Sequence, residues 1–216
     1  KLVEFTEKVD IINWRFIEGD KNFSPYDIAL IEGAVVSQED EKTVKLLREK
    51  SKIIVAIGAC ACIGGIPSLI KERDRQKFTK YVYGEHYQAL AQDAKPINRY
   101  IKVDHYLNGC PINPKELEDF LAQLLSGQKI PQKFYPVCYE CKAKENECLL
   151  QNGEPCLGPI TLGGCQAACP SNGVRCYGCW GPIKDANFKA IINVLKKQGR
   201  SNKEIAQIIE MFIEEN

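Results

Sequence analysis

Short apolar runs alternate with amphipathic segments along the first part of the chain. Four runs predict strands, namely VDIINWRF (9–16), DIALIEGAVV (27–36), KIIVAIGAC (52–60) and NRYIKVDHYLNGC (98–110). Strands that alternate with helical segments are typical of a parallel sheet covered by helices. The pattern therefore predicts an α/β domain, to which we assign residues 1–130.

Two of the amphipathic segments carry clear helix signals. In SQEDEKTVKLLREKSK, Ser37 is placed to cap the helix, with Asp40 three residues later. In NPKELEDFLAQLLSGQ, Asn113 caps, Pro114 takes the first helical position, Glu116 completes a capping box and Gly127 ends the helix. Both segments are therefore predicted to be helices.

The pattern changes after the second of these helices. Prolines and a glycine in GQKIPQKFYP interrupt any periodicity and indicate a linker near residue 130. We expect a separate cysteine-rich unit over residues 131–182. Residues 183–216 return to helical periodicity in ANFKAIINVLKKQG and SNKEIAQIIEMFIEEN, the latter with a capping box from Ser201 to Glu204. Their amphipathic stripes predict packing against the rest of the protein.

Charge and hydropathy exclude some classes of partner. The 216 residues include 29 basic and 28 acidic side chains, a net charge of +1, which gives no basic surface for nucleic acid or for an anionic membrane. No apolar run is long enough to span a bilayer, so we expect a soluble protein without a membrane partner. The chain opens with KLVEFTEKVD, which resembles the tail of a helix, so we expect residues upstream of Lys1.

Cysteine is the most informative residue type. There are 11, an odd number that argues against a complete internal disulfide framework. Thiolates at short spacing in a glycine-rich and proline-rich segment favour zinc or iron-sulfur clusters. Eight of the cysteines fall in one short stretch: Cys138, Cys141, Cys148, Cys156, Cys165, Cys169, Cys176 and Cys179.

The spacing of this array favours iron-sulfur clusters over zinc. Its two C-x-x-C pairs are separated by residues 142–175, which exceeds the roughly 15 to 20 residues of a zinc ribbon. The run from Cys165 to Pro170 ends as C-x-x-x-C-P, which is typical of ferredoxin-type cluster binding. Eight thiolates suffice for two four-cysteine sites. Spacing alone leaves open whether the ligands divide sequentially or interleave.

Three further chemical groups follow predicted strands. Cys60 and Cys110 each close a strand, and Glu32 ends another, so all three are expected at the carboxyl edge of the sheet, where α/β proteins bind ligands. The two thiols could share a cofactor there. Without other context, a small buried side chain is the favoured interpretation of each cysteine, and a solvated turn residue is that of Glu32.

Three motifs together resemble the small, electron-transferring subunit of nickel-iron hydrogenases. They are GACACIGG, NGCPINP and the eight-cysteine array, which occur in the order of that family over residues 9–182. CLGPITLGGCQAACP and CYGCWGP are most similar to the soluble cytoplasmic class, of the sulfhydrogenase delta and methyl-viologen-reducing type. The resemblance implies a flavodoxin-like parallel-sheet domain followed by a loop-rich, cysteine-rich iron-sulfur domain and C-terminal helices.

The resemblance also implies a role for each cysteine of the array. Three 4Fe-4S clusters are expected: a proximal one nearest the partner's nickel-iron centre, a medial one and a distal one. Cys60 and Cys110 match two proximal ligands, and the array divides sequentially into distal (Cys138, Cys141, Cys148, Cys156) and medial (Cys165, Cys169, Cys176, Cys179) ligands. Periplasmic members are similar but have histidine in place of Cys138 and proline in place of Cys169, so a four-iron medial cluster and low potentials are expected here.

One feature departs from the family pattern. Its other two proximal ligands come from a C-x-x-C after the first strand, and no such motif precedes Cys60 here. We expect that motif upstream of Lys1, and we expect Cys62 to be a packed bystander. Glu32 would tune the proximal cluster or assist a proton path. His86 and His105 lie outside the array and are expected to be structural.

The implied function is electron transfer within a hydrogenase complex. The partner large subunit would convert H2, so no catalytic centre is expected in this chain. Electrons would pass to a flavin or ferredoxin-like subunit docked near Cys138. A zinc-stabilised interaction module without redox activity is the first alternative. An electron-transfer subunit of the respiratory complex I type is the second, but that relative lacks the cysteine array.

Overall fold

The computed structural model describes residues 9–13, 25–87 and 91–213. Within these residues it contains three strands and eight α-helices. The strands are β1 (Tyr26–Glu32), β2 (Ser51–Ile57) and β3 (His105–Leu107). The helices are α1 (Gln38–Lys50), α2 (Gly58–Ile63), α3 (Glu72–Tyr83), α4 (Pro114–Leu125), α5 (Val137–Ala143), α6 (Ala168–Ser171), α7 (Phe188–Lys197) and α8 (Asn202–Glu210).

The strands form one parallel sheet in the order β1-β2-β3. Ile28 pairs with Ile53, and Val55 pairs with His105, so all three strands end at the same edge. The prediction of a parallel α/β fold is confirmed. Residues 9–13 of the first predicted strand form no regular element, and residues 14–16 lie outside the described part of the chain.

The last predicted strand is much shorter than expected. Of NRYIKVDHYLNGC, only His105–Leu107 form a strand, and Ile97–Arg99 form a 3-10 turn instead. The reason lies at Asp104, where the side chain accepts a hydrogen bond of 2.8 Å from the backbone N–H of Ile54. A side chain thus takes a bond that a neighbouring strand would otherwise make, and the ladder begins only at His105.

Capping decides where the long helices begin. Ser37 Oγ accepts from the Asp40 N–H at 3.1 Å and donates to the Asp40 carboxylate at 2.8 Å, so the predicted start of α1 is confirmed. Asn113 caps α4 as predicted. Glu116 does not complete the predicted capping box there, because its carboxylate is drawn to Lys133 of the following linker. At α8, the capping box of Ser201 is present.

The sheet is packed on both faces. Alternating residues of β2 point to opposite sides, as the period of a strand requires. Ile54 and Ala56 join a core under α1 that includes Val44. Val55 joins a second core with Phe120 of α4. The predicted amphipathic helices therefore bury their apolar faces on the sheet.

The two C-terminal helices cover the cysteine-rich segment. A third core joins Leu157 and Ile160, which follow Cys156, to Ile191 and Leu195 of α7 and Ile205 of α8. Their apolar stripes are therefore used in packing, as predicted. None of the helices that the structure describes combines the length and the apolar character needed to cross a bilayer.

Candidate metal centres

The first four cysteines of the array surround one cavity. Cys138 and Cys141 lie one helical turn apart on α5, and Cys148 and Cys156 come from the irregular chain that follows. All four line a cavity of about 50 Å³, closed on one side by Leu149 and neighbouring apolar residues. None of them is in a disulfide. The four thiols that share this cavity are therefore consecutive in the array.

A glycine keeps room at this cavity. A Cβ atom at Gly158 would lie 3.1 Å from the Cys138 sulfur and 3.6 Å from the Cys156 sulfur. The sequence analysis did not single out Gly158. The Gly-Pro pair that follows Cys156 and Leu157 is the signal that could have indicated a close approach of the backbone to the thiols. The missing side chain leaves space where the thiols converge, which suits a polynuclear group larger than one ion.

The last four cysteines form a second group. Burial raises the pKa of Cys179 to about 11, and the nearby thiols of Cys165 and Cys169 add to that rise. Burial also raises the pKa of Cys176 to about 12, with smaller contributions from Cys156 of the first group and then from Cys179. The thiols of Cys165, Cys169 and Cys176 thus each lie within electrostatic reach of Cys179.

The state of these thiols has a chemical consequence. Burial, reinforced by its cysteine neighbours, raises the pKa of Cys138 to about 12, so without a bound metal it stays protonated at neutral pH. Metal ligation needs thiolates, and the bound cation supplies the charge that stabilises them. Occupation of either group should therefore release protons.

The third group lies at the carboxyl edge of the sheet, as predicted. The pKa of Cys60 is raised by burial and then by the charges of Cys110 and Glu32, which places these three residues close together. A Cβ atom at Gly65 would lie only 2.9 Å from the Cys60 sulfur. Gly65 therefore shapes this thiol's surroundings as Gly158 does for the first group.

The remaining candidates have structural positions. Cys62 is 4% exposed, and its thiol donates to the carbonyl of Ala56 at 3.4 Å, so it is a residue of α2 packed against the sheet, as predicted. The His105 ring packs edge-on against the Phe120 ring. His86 lies in the turn after α3.

The groups touch one another in a defined order. Asn108, two residues before Cys110, donates to the carbonyl of Trp180, one residue after Cys179, at 3.0 Å, which joins the sheet-edge group to the second group. The backbone N–H of Cys176 donates to the Cys156 sulfur at 3.3 Å, which joins the second group to the first. The second group, whose cysteines come last in the sequence, therefore lies between the other two groups in space.

No three His, Cys, Asp or Glu side chains in the described ranges converge closely enough to hold a single metal ion. The donor set is nevertheless uniformly thiol, in two sets of four, with a glycine gap at the first. Such sets match the four thiolates that a 4Fe-4S cluster takes. By donor chemistry and space, the array fits iron-sulfur clusters.

Comparisons with known proteins show which family and which relatives the chain is similar to. The model of the family described as NADH ubiquinone oxidoreductase, 20 Kd subunit, matches residues 2–124. Sulfhydrogenase 2 subunit delta of Pyrococcus furiosus is 36% identical over 214 residues, covering 98% of this chain and 89% of the relative. A vhu subunit of the F420-non-reducing hydrogenase of Methanocaldococcus jannaschii is 35% identical over 247 residues, covering 98% and 85%. A chain of a solved NAD+-reducing NiFe-hydrogenase is 28% identical with a TM-score of 0.49, over 60% of this chain and 82% of that one.

The chain belongs to the family of the 20 kDa subunit of NADH ubiquinone oxidoreductase, and the two relatives named above are hydrogenase subunits. The family match ends before the eight cysteines, whereas both hydrogenase relatives extend over nearly the whole chain. The resemblance to nickel-iron hydrogenase subunits is thereby confirmed, and the protein is an oxidoreductase subunit. A zinc-stabilised interaction module gains no support.

Proposed function

We propose that this subunit conducts electrons through three iron-sulfur sites between the H2-converting centre of a large subunit and a further redox subunit. The observation that carries the proposal is the linear order of the three cysteine groups. Asn108 beside Cys110 bonds to Trp180 beside Cys179, and the Cys176 N–H bonds to the Cys156 sulfur, so each group adjoins the next. An electron relay needs such a row, whereas structural metal sites do not.

In this proposal each group holds one 4Fe-4S cluster. The proximal site includes Cys60 and Cys110, which supply two of the four ligands that such a cluster needs. The medial site is Cys165, Cys169, Cys176 and Cys179, and the distal site is Cys138, Cys141, Cys148 and Cys156. A bound cluster supplies one-electron redox chemistry, which the side chains cannot provide themselves.

The protein contributes spacing, insulation and tuning. Apolar residues such as Leu149 and Leu150 close the distal cavity, and burial disfavours charge at a cluster site. Cysteine at position 169 favours a full four-iron medial cluster, and ligation by cysteine alone favours low potentials. Glu32 is exposed beside Cys60, where its negative charge would make reduction of the proximal cluster harder.

A large apolar surface near the proximal site supports docking of the large subunit there. It begins directly after Gly65, which contacts Cys60, and continues along α3. None of the α3 side chains that the structure describes is buried. Tyr81 is 88% exposed, and Phe78 is 48% exposed. We name residues 66–87 the α3 surface. Because apolar area of this extent is costly in water, we assign it to the nickel-iron large subunit.

The opposite end of the relay suits a second redox partner. Phe134 and Tyr139 are exposed on either side of Cys138, and aromatic side chains of this kind are common at protein interfaces. We propose that a flavin or ferredoxin-type subunit docks there. A cytoplasmic location, and division into residues 1–130, 131–182 and 183–216, complete the proposal and follow from the resemblance to the cytoplasmic class.

Metal and spectroscopic analysis of the anaerobically purified protein tests the proposal. The eight-cysteine array should hold about eight iron and eight acid-labile sulfide, a count based on two four-iron clusters. Reduction should give EPR signals from interacting clusters, because the groups adjoin one another. Cys179→Ser should remove about four iron. The matched control Cys62→Ala, at a buried thiol outside the groups, should keep the full count.

Other results would contradict the proposal. Stoichiometric zinc in a colourless protein would indicate the interaction module instead. Equal iron loss in the Cys179 and Cys62 variants would mean that neither thiol acts as a specific ligand.

A further inference from the structure

Glu140 connects the two four-cysteine groups. It lies on α5 between the distal ligands Cys138 and Cys141. Its carboxylate nevertheless reaches the other group: Oε2 accepts from the backbone N–H of Ala167 at 3.0 Å and lies 3.9 Å from the Cys165 sulfur. Oε1 accepts from the Tyr135 hydroxyl at 3.3 Å. Glu140 therefore belongs to the helix of the distal group and contacts the loop of the medial group.

The loop from Cys165 to Cys169, to which Glu140 is hydrogen-bonded, has a backbone conformation that other contacts must stabilise. Between Cys165 and Cys169, Gln166 and Ala167 have φ angles of +57° and +49°. Residues with side chains adopt this left-handed region rarely, and two in succession are rarer still. Such a backbone persists only where surrounding contacts determine it. The bond from the Ala167 N–H to Glu140 is one contact that does so.

The charge of Glu140 is directed at the medial group. Its carboxylate lies 3.9 Å from the Cys165 sulfur, so a negative charge stands beside the atom through which a cluster would be held. Lys133, the cation of the nearby linker, is paired with Glu116 and not with Glu140. The same electrostatics would oppose the addition of an electron at a cluster bound through Cys165.

We propose that Glu140 is a positioning residue that holds the Cys165–Cys169 loop against α5 and lowers the reduction potential of the medial cluster. The proposal rests on the proposed function, because it assumes that the second cysteine group binds a cluster. It adds a non-ligand residue that sets the geometry of one site from the helix of the other. Sequence position alone, within CYEC, would have assigned Glu140 to the distal site.

Two substitutions separate geometry from charge. Glu140→Gln keeps an oxygen that accepts from the Ala167 N–H and removes the charge. Glu140→Ala removes both. Glu147→Gln is the matched control, because Glu147 is an exposed carboxylate next to the distal ligand Cys148. EPR-monitored redox titration and iron analysis of each anaerobically purified protein are the measurements, with signals assigned through Cys169→Ser for the medial site and Cys148→Ser for the distal site.

The expected results are specific to the medial site. Glu140→Gln should keep the wild-type iron count and shift the medial midpoint potential in the positive direction by more than it shifts the distal one. Glu140→Ala should lose the medial signal and about four iron, the content of one cluster. Glu147→Gln should leave the medial potential at its wild-type value.

Several outcomes would overturn the proposal. One is a medial potential in Glu140→Gln that equals that of Glu147→Gln, and another is a distal shift as large as the medial one. If Glu140→Ala fails to fold, the potential of Glu140→Gln alone decides. Wild-type protein without clusters would refute the proposed function itself, whereas wild-type clusters with an unshifted Glu140→Gln would refute only this inference.

Discussion

Gly158→Ala tests whether Cys138 and Cys156 hold a common group. No positive φ constrains Gly158, so alanine is allowed by the backbone. The new Cβ would lie 3.1 Å from the Cys138 sulfur, whereas favourable contacts begin near 3.5 Å, so the overlap is about 0.4 Å or more. A free thiol can rotate away from this overlap. A sulfur bound to a cluster cannot.

The cost should therefore fall on the metal-bound form alone. Overpacking of a fixed site costs about 1–3 kcal/mol, which weakens binding by a factor of about 5 to 150. Stability of the cluster-free protein should change little. The measurements are the rate of distal-cluster loss to an iron chelator, followed by EPR, and thermal unfolding of the cluster-free protein.

Gly153→Ala is the matched control for this experiment. Gly153 has a φ of +87° with no atom near its missing side chain, so alanine there strains the backbone without filling a site. It should lower the unfolding temperature and leave the rate of cluster loss unchanged. A distal cluster that is equally durable in Gly158→Ala and wild type would refute the common site of Cys138 and Cys156.

Three further predictions concern the medial site, the sheet and the docking surface. Cys169→Pro should convert the medial cluster to a three-iron form with a new EPR signal in the oxidised state. The substitution should be tolerated, because Cys169 lies in the first turn of α6, where proline is allowed. An unchanged spectrum would show that Cys169 is not a ligand. Burial alone would raise the pKa of Asp104, but bonds from the Ile54 N–H and Arg48 hold it below its usual value. Asp104→Asn should therefore lose about 1–2 kcal/mol of unfolding free energy at pH 7, a difference that shrinks as pH falls below about 4; a constant difference down to pH 2 would contradict the assignment. Tyr81→Asp on the α3 surface should weaken co-purification of the large subunit at least tenfold without changing the cluster EPR, and unchanged assembly would place the interface elsewhere.

Local signals in the sequence predicted much of the α/β part. Ser37 and Asn113 are polar residues before apolar periodicity, and each caps its helix as expected. The sequence could not show that Asp104 would bond to Ile54 and shorten β3, because that contact joins residues 50 positions apart. In the same way, the Glu116 carboxylate pairs with Lys133 of the linker instead of completing the capping box of its helix. Contacts across the fold overrode local preference in both places.

The candidate site was predictable to a similar degree. Residue type and spacing identified the eight-cysteine array, and strand ends placed Cys60 and Cys110 at one edge of the sheet. The division of the array into two groups of four came from the resemblance, because spacing alone left it open. The surroundings of the thiols were not predictable in the same way. Glu140 reaches the Cys165 loop only because α5 lies against it, and Gly158 matters only because two sulfurs converge over it.

The hydrogen bond from the Cys176 N–H to the Cys156 sulfur bears on how such a relay can be redesigned. On the proposed assignment, the donor belongs to one site and the acceptor to the next, and hydrogen bonds to ligand sulfurs are among the determinants of cluster potential. A change to the backbone around Cys176 would retune its neighbour as well. The two sites are therefore not interchangeable modules, and an engineer who wished to adjust one potential would have to redesign the pair.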